Sequence, residues 1–552
     1  MAAAAASGRR ATHPWIVLLV LSLGLFMTLL DLTIVNVAIP SIVDGVHATL
    51  DQVLWMLNAY SLTYAVLLIT AGRIGDIIGP RTMFMVGLVL FTAASLFSGV
   101  SSSAEMLIAG RALQGVGAAM LAPQSLPILL TLFPVEKRAP VFAVYGIIAG
   151  IAVVVGPTLG GWLVTSFGWQ WIFYINLPVG VAVLFATLRL VPDIRPARRH
   201  RLDFVGVAVL SAALFSLVFG LIEGQRYNWD TISGFLSIPL IIGVGVVLLI
   251  IFVVDQARRQ RHEPLLTFAV FKDRNFTLMT LVLCAMGFAI VGIYLPLTLY
   301  LQSVLGLSAV AAGLVIAIQP GAMFFASGAA NGGGAKADPK YLLVPGLFLL
   351  AIGSAWIALV VTATSSRWSL APGLVVGGVG MGLIWGPVYN IATRDLQPAL
   401  AGVASGVLNT VQELGAVVAS ASVGALLQNR LATTLHDQAV AAASQLPPEF
   451  QQKFIAGFSN AAAGGFEVGA GQTGGSLVLP PGTPPDVAAR VQSLAHQVFA
   501  SGFVDAMRPT LILPIAVIFA AGFLALAVRP RRKSPAMATT EEPGVTLAAE
   551  AG

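Results

Sequence analysis

The stretch Leu30-Asp31-Leu32-Thr33-Ile34-Val35-Asn36-Val37-Ala38-Ile39-Pro40 places one carboxylate inside an apolar run that begins at Pro14 and ends near Ile42. A helix needs about 20 apolar residues, rising roughly 1.5 Å each, to cross about 30 Å of hydrocarbon. Asp31 therefore falls inside the bilayer, past its middle. An ionised carboxylate there costs about 2.5–3.5 kcal/mol even on insertion scales. Residues of this kind face a cavity or a partner, and an acid that takes up a proton inside a membrane is a part that a proton-coupled pump needs.

The rest of the chain supports a membrane setting. Its 552 residues are 57% hydrophobic and 10% charged, with a mean hydropathy of +0.88. Soluble domains carry about 25% charged residues. The net charge of +6 is spread through short loops and is no nucleic-acid signal. The single cysteine, Cys284, lies in an apolar segment, so the chain has no internal disulfide. The polar start, Met1 to His13, leads into a span too long for a signal h-region, so no cleavable signal peptide is expected.

Hydropathy predicts fourteen spans, near 14–42, 53–72, 82–100, 106–131, 140–166, 171–190, 204–224, 233–254, 275–300, 309–330, 342–362, 370–391, 403–428 and 508–529. An even number puts both termini on one side. On this segmentation 23 of the 30 Lys and Arg lie on the side of the termini, among them Arg73, Arg81, Lys137, Arg138, the Arg195–Arg201 run and the Arg529–Lys533 tail. The positive-inside rule makes that side cytoplasmic. Two segments break the pattern. Residues 191–203 form a basic, proline-containing linker after the sixth span. Residues 429–507 form a long outer connection rich in Ala, Gly, Pro and Gln, with helical pieces predicted over 448–460 and 485–503 and a Gly/Pro-rich tip between them. It reads as a mobile loop or as a cap over the outer mouth.

Four motifs carry chemistry. After the second span comes Gly72-Arg73-Ile74-Gly75-Asp76-Ile77-Ile78-Gly79-Pro80-Arg81. Its glycines permit a tight turn and close helix approach, Asp76 suits a helix N-terminus, and Arg81 suits an acid. In the fourth span stands Arg111, whose guanidinium keeps its charge at any usable pH. Gln114 and Gly115 lie on nearly the same face. The fifth span carries Gly146, Gly150, Gly156-Pro157 and Gly160-Gly161; glycines at about four-residue spacing make a groove for another helix, and Pro157 can bend it. In the thirteenth span Ser405, Asn409, Glu413 and Ser420 fall near one helical face, as Gly24, Thr28 and Asp31 do in the first.

Taken together, these motifs resemble the major facilitator superfamily, specifically its fourteen-helix drug:proton antiporter branch. The first-span Asp-x-Thr-Ile-Val-Asn-Val-Ala-x-Pro, the 72–81 turn, Arg111 with Gln114-Gly115, Gly156-Pro157-x-x-Gly160-Gly161, Trp171-Ile172-Phe173-Tyr174-Ile175-Asn176-Leu177-Pro178-Val179-Gly180 and Ser405-Gly406-Val407-Leu408-Asn409-Thr410 carry the resemblance. It covers nearly the whole chain except 429–507 and the tails. Two positions depart from the loop motif, where Ile77 and Pro80 stand in place of basic residues, and the matching turn after the tenth span, Gly328 to Lys340, is a glycine-rich remnant with Asp338.

The resemblance implies an all-α integral membrane protein with the major facilitator fold: a six-helix bundle over 14–190, a linker over 191–203, an inserted helix pair over 204–254 and a second bundle over 275–529, with cytoplasmic segments 1–13 and 530–552. It implies a multi-pass protein of the bacterial cytoplasmic membrane that works by alternating access as an exporter of amphipathic, often cationic, compounds, taking protons and a small molecule as its partners within lipid. No cofactor, metal or nucleic acid is expected, and the chain is read as a monomer. Asp31, Arg111 and Glu413 are the proton-coupling candidates. Thr28, Trp55, Tyr60, Gln114, Tyr145, Phe288, Tyr294, Trp385, Tyr389, Asn409 and Gln412 are candidates for the substrate cavity, where a cation and a proton would compete for one acid. Gly72, Asp76, Gly79, Arg81, Gly150, Gly156, Pro157, Gly160 and Gly161 are candidates for conformational change.

Energetics bounds the coupling. One proton entering down about 100 mV supplies roughly 2.3 kcal/mol, which supports about a 50-fold gradient of a neutral compound. A monovalent cation exchanged for one proton moves no net charge, so two acids, and two protons, would recover the voltage. Two other readings share the sequence: a dedicated exporter of one endogenous product (an antibiotic, siderophore, peptide or lipid), and, more distantly, an intramembrane enzyme or sensor. Against an enzyme, all six histidines, at 13, 47, 200, 262, 436 and 496, lie outside the spans, and no Gly-x-x-x-x-Gly-Lys-Ser/Thr loop offers ATP a site.

Overall fold

The computed structural model describes residues 13–193 except 49, 203–260 except 225, 226 and 228, 265–332, 338–463 except 398 and 399, and 485–530. Thirteen helices among the described residues are long and apolar enough to cross a membrane. The remaining expected span is the 33-residue helix Val135–Phe167. In chain order the spans are Pro14–Val46, Leu50–Ile78, Pro80–Gly99, Ala104–Leu132, Val135–Phe167, Trp171–Leu190, Phe204–Glu223, Ile238–Arg258, Arg274–Val304, Val310–Ala329, Lys340–Val360, Ala371–Thr393, Ala401–Ala443 and Pro485–Leu526. They are called spans 1 to 14 below.

Several helix starts follow from side-chain caps that satisfy the otherwise unpaired first N–H groups. Ser103 accepts from Met106 N in span 4, Asp203 from Gly206 N in span 7, and Asp273 from Asn275 N and Phe276 N in span 9. Span 8 begins five residues later than the hydropathy boundary at 233. Thr231–Ser233 and Leu236–Ser237 pair as a short antiparallel hairpin, and Ser237 then caps the helix ahead of Pro239.

The helices form two bundles and an inserted pair. Span 1 packs on spans 5 and 6, and span 4 on spans 2 and 3. In the second half span 13 packs on spans 9 and 14, and span 12 on spans 10 and 11. Spans 7 and 8 pack on each other, and span 7 leans on span 2. The halves meet along two seams, span 2 with span 13 and span 5 with spans 10 and 12.

The long connection after span 13 is not a loop from its first residue. Span 13 continues to Ala443 and span 14 begins at Pro485, with Pro448–Ala463 between them. Leu431, Leu435, Ala439 and Ala443 bury against Phe454, Phe458, Val491, Leu494, Val498 and Phe503. Thr434 Oγ1 donates to Gly502 O at 2.8 Å, and Gln438 Nε2 donates to Asp505 Oδ2 at 3.1 Å. The expected helices over 448–460 and 485–503 are present, the second as the outer part of span 14. The Gly/Pro-rich tip, 464–484, lies outside the described residues.

Candidate functional site

Asp31 is fully buried inside the first bundle, and its carboxylate is shared among spans 1, 4 and 6. Oδ2 is ion-paired with Arg111 Nη1. Oδ1 accepts from Gln114 Nε2 at 3.0 Å and from Asn176 Nδ2 at 3.1 Å. Both amides also donate to Ser95 Oγ of span 3, at 2.7 and 3.3 Å. Arg111 spends its other donors on Gln114 Oε1 at 2.9 Å and, through Nε, on Met56 O at 3.2 Å. The guanidinium carbon sits 4.5 Å from the centroid of the Tyr60 ring, whose hydroxyl donates to Thr28 O at 3.1 Å. Two charges removed from water are tolerable only with this degree of satisfaction, because desolvation otherwise exceeds the Coulombic gain.

The second intramembrane carboxylate is set apart from the first. Glu413 of span 13 is partly exposed and makes no hydrogen bond or ion pair among the described residues. It stands within electrostatic reach of Tyr60 and Tyr64 of span 2 and Tyr389 of span 12. Tyr145 of span 5 stands within electrostatic reach of Tyr64 and Tyr389 in turn. Trp385 stacks on Tyr389 at 6.1 Å. Beside Glu413, Gln412 Oε1 is buried with no hydrogen-bond partner among the described residues. These side chains come from both bundles, so Glu413 and its aromatic neighbours lie on the seam between the halves.

The structure divides the expected cavity residues. Tyr389 lies within reach of Glu413 and Gln412 adjoins it in the chain, while Trp385 and Tyr145 neighbour Tyr389. Thr28, Tyr60 and Gln114 are buried beside the Asp31–Arg111 pair. Trp55 packs on Phe219 of the inserted span 7 at 5.7 Å. Phe288 is buried with Ala419 and Val423 between spans 9 and 13, and Tyr294 packs on the core below the outer helices. Asn409 turns back to its own helix, donating to Ser405 O at 2.8 Å. Asp31 itself is enclosed in this conformation. Sequence reasoning missed Asn176 and Ser95 as members of the network. A lone Asn in the apolar run Ile175–Pro178 was the available signal for the first; Ser95 had none.

The conformational candidates separate in the same way. Gly72 packs on span 13, where an added Cβ would lie 2.8 Å from Gly402 O. Asp76 lies against the first turn of span 13, beside Gly402 and Val403, a position favoured by the positive end of a helix. Gly79 links spans 2 and 3 at φ 98°, which a side chain would resist. Among the described residues Arg81 pairs with no acid: its Nη2 donates to Leu188 O at the end of span 6 at 2.6 Å. The span 5 glycines face inward. A Cβ at Gly156 would lie 1.9 Å from Thr33 Oγ1, and one at Gly160 would lie 2.7 Å from Ile34 Cγ1. They seat span 1 against span 5 within the first bundle. Gly161 is on the same helix; the side-chain positions at 150 and 157 lie outside the described residues.

The model of the major facilitator superfamily matches residues 21–420, which include Asp31, Arg111, Asn176 and Glu413. This chain belongs to the major facilitator superfamily. A superfamily-type transporter of Mycobacterium tuberculosis, itself uncharacterized, is 39% identical over 77% of this chain and 72% of its own length. The tetracenomycin C resistance and export protein of Streptomyces glaucescens is 31% identical over 96% of this chain and 95% of its own, a match that runs through the long outer connection. Other relatives in the superfamily are multidrug resistance proteins. Among solved structures, the human organic anion transporter MFSD10 superposes with a TM-score of 0.55, covering 92% of this chain and 99% of that one at 14% identity, and so shares the fold.

Proposed function

We propose that this protein is a proton-coupled antiporter that exports amphipathic, often cationic, small molecules across the bacterial cytoplasmic membrane, with both termini in the cytoplasm. The observation that carries the reading is the pair of intramembrane carboxylates in unlike settings. Asp31 is sealed in a network that includes a permanent cation; Glu413, among tyrosines on the seam, has no ion-pair partner among the described residues. An acid held by an arginine suits proton storage, because protonation frees the arginine and alters the bundle. An open acid among aromatic faces suits an organic cation, which gains from the charge and from the rings.

The seams support an alternating-access cycle. In this conformation Gly72, Asp76 and Gly402 hold spans 2 and 13 together at the face from which span 1 starts. Release of that contact would open the face to the cytoplasm, admit the cation to Glu413 and prepare the next exchange. The energy source is the proton gradient, with no cofactor. The test is ethidium efflux from energised cells lacking their own pumps, before and after a protonophore. Efflux that needs the gradient, Asp31 and Glu413 supports the reading; efflux that survives the protonophore or the Asp31→Asn change refutes it.

A second reading has one observation in its favour: the relative aligned over nearly the full chain is a resistance and export protein for a single antibiotic. The same machinery would then serve one endogenous product. Silence toward ethidium, with transport of a product made by the same cell, would select this reading.

A further inference from the structure

Tyr60 is the one residue described that touches the arginine of the first site and also stands within reach of the acid of the second. Its ring face lies under Arg111, with the guanidinium carbon 4.5 Å from the centroid. Its hydroxyl is tied to Thr28 O in span 1. Its backbone is clamped to span 4, where a Cβ at Gly115 would come within 2.4 Å of Tyr60 O and Thr63 Oγ1 donates to Ala112 O at 3.0 Å. On the other side it stacks with Tyr64 at 6.1 Å. The charged groups within its reach are Asp31 of span 1, Arg111 of span 4 and Glu413 of span 13. Those within reach of Glu413 are Tyr60, Tyr64 and Tyr389.

We propose that Tyr60 is the positioning residue that couples the two carboxylates, its ring fixing the Arg111 guanidinium so that the charge on Asp31 sets the cation affinity at Glu413. With Asp31 ionised, the Arg111 charge is balanced by its partner and the Glu413 site sees little of it. With Asp31 neutral, Arg111 keeps its charge, and its remaining anchors are Met56 O, Gln114 Oε1 and the Tyr60 face. The uncompensated guanidinium, held under the Tyr60 ring, whose hydroxyl group lies within reach of Glu413, then opposes a cation at Glu413. In a medium of low polarity such a field is strong over several ångströms. A proton on one acid and a cation on the other therefore exclude each other without meeting. The quality of the ring face governs how firmly Arg111 is held.

This inference rests on the two-carboxylate reading above, and one experiment separates their failures. Binding of tetraphenylphosphonium to the purified full chain in lipid nanodiscs is measured with and without Asp31→Asn, in three backgrounds: Tyr60, Tyr60→Phe, and trifluorinated phenylalanine at position 60. Fluorination withdraws the negative face of the ring at nearly constant size, so folding is preserved. With Tyr60 and with Tyr60→Phe, Asp31→Asn should weaken binding about tenfold; with the fluorinated ring the factor should fall below about threefold. An unchanged factor on the fluorinated ring overturns the role of the Tyr60 face, as does its loss in Tyr60→Phe, which would assign the coupling to the hydroxyl. Absence of any Asp31→Asn effect in the Tyr60 parent instead removes the two-carboxylate reading itself.

Discussion

Asp31 and Arg111 stand 80 positions apart in the chain and form a buried ion pair, with side chains 0% and 1% exposed. Neither charge has water to fall back on. The pair holds span 1 to span 4, and through Gln114, Asn176 and Ser95 it extends to spans 3 and 6. Loss of either partner alone leaves the other buried and uncompensated, at about 3–5 kcal/mol. Asp31→Leu or Arg111→Leu should therefore lower thermal stability in nanodiscs sharply, whereas the double variant should recover most of the loss. Additive losses in the double variant would show that the two charges act independently.

Asn176 supplies one of the two amide donors on Asp31 Oδ1. Asn176→Leu removes that donor and fills the space with an apolar group. Efflux should slow several-fold while the affinity for a cationic probe at Glu413 changes less than twofold. A loss of affinity with an unchanged rate would place Asn176 with the substrate and not with the proton.

Gly72 sits where a side chain would strike Gly402 O. Gly72→Val should prevent this approach of spans 2 and 13 and favour the alternative arrangement of the bundles. Single cysteines placed near Asp76 should then become more accessible to a polar maleimide, and efflux should fall at least tenfold. Unaltered accessibility would mean that the seam has room that the structure does not show.

The two halves secure their ends alike with different residues. Arg81 at the start of span 3 donates to Leu188 O in span 6. Lys340 at the start of span 11 donates from Nζ to Leu526 O at 2.7 Å and Val528 O at 2.9 Å, at the end of span 14. Arg394, paired with Asp338, reaches Arg529 O beside them. A cation on the last carbonyls of a helix contributes about 0.3–1 kcal/mol. Lys340→Met and Arg81→Met should each cost about that much in thermal unfolding, with little change in transport. Loss of transport from Lys340→Met at unchanged stability would give the second turn a gating role.

The legible part of this site was the part that a single residue announces. Asp31, Arg111 and Glu413 stood out because each is a charge in an apolar run. Their division of labour was not legible, since the face that Asp31 presents depends on how spans 1, 4 and 6 pack. Tyr60 illustrates the limit: an aromatic in a span reads as a cavity wall, and its place under Arg111 is set only by how spans 2 and 4 pack. The span 5 glycines gave a groove but not its occupant, which is span 1. In the outer connection the apolar run stops near 428, yet the helix continues because Leu431, Leu435 and Ala439 recur at helical spacing and find Leu494 and Val498 opposite. The fold was readable from fourteen apolar runs and their charged loops, because the bilayer allows such runs few alternatives.

The central claim is that a proton passes through Asp31 as the substrate leaves, and its most direct test is proton movement in proteoliposomes. With an imposed gradient of ethidium or tetraphenylphosphonium and a pH-sensitive dye in the lumen, the parent protein should move protons opposite to the cation. Asp31→Asn should bind the cation and move no protons. Proton movement of normal rate in Asp31→Asn, or cation transport by the parent without proton movement, would contradict the account.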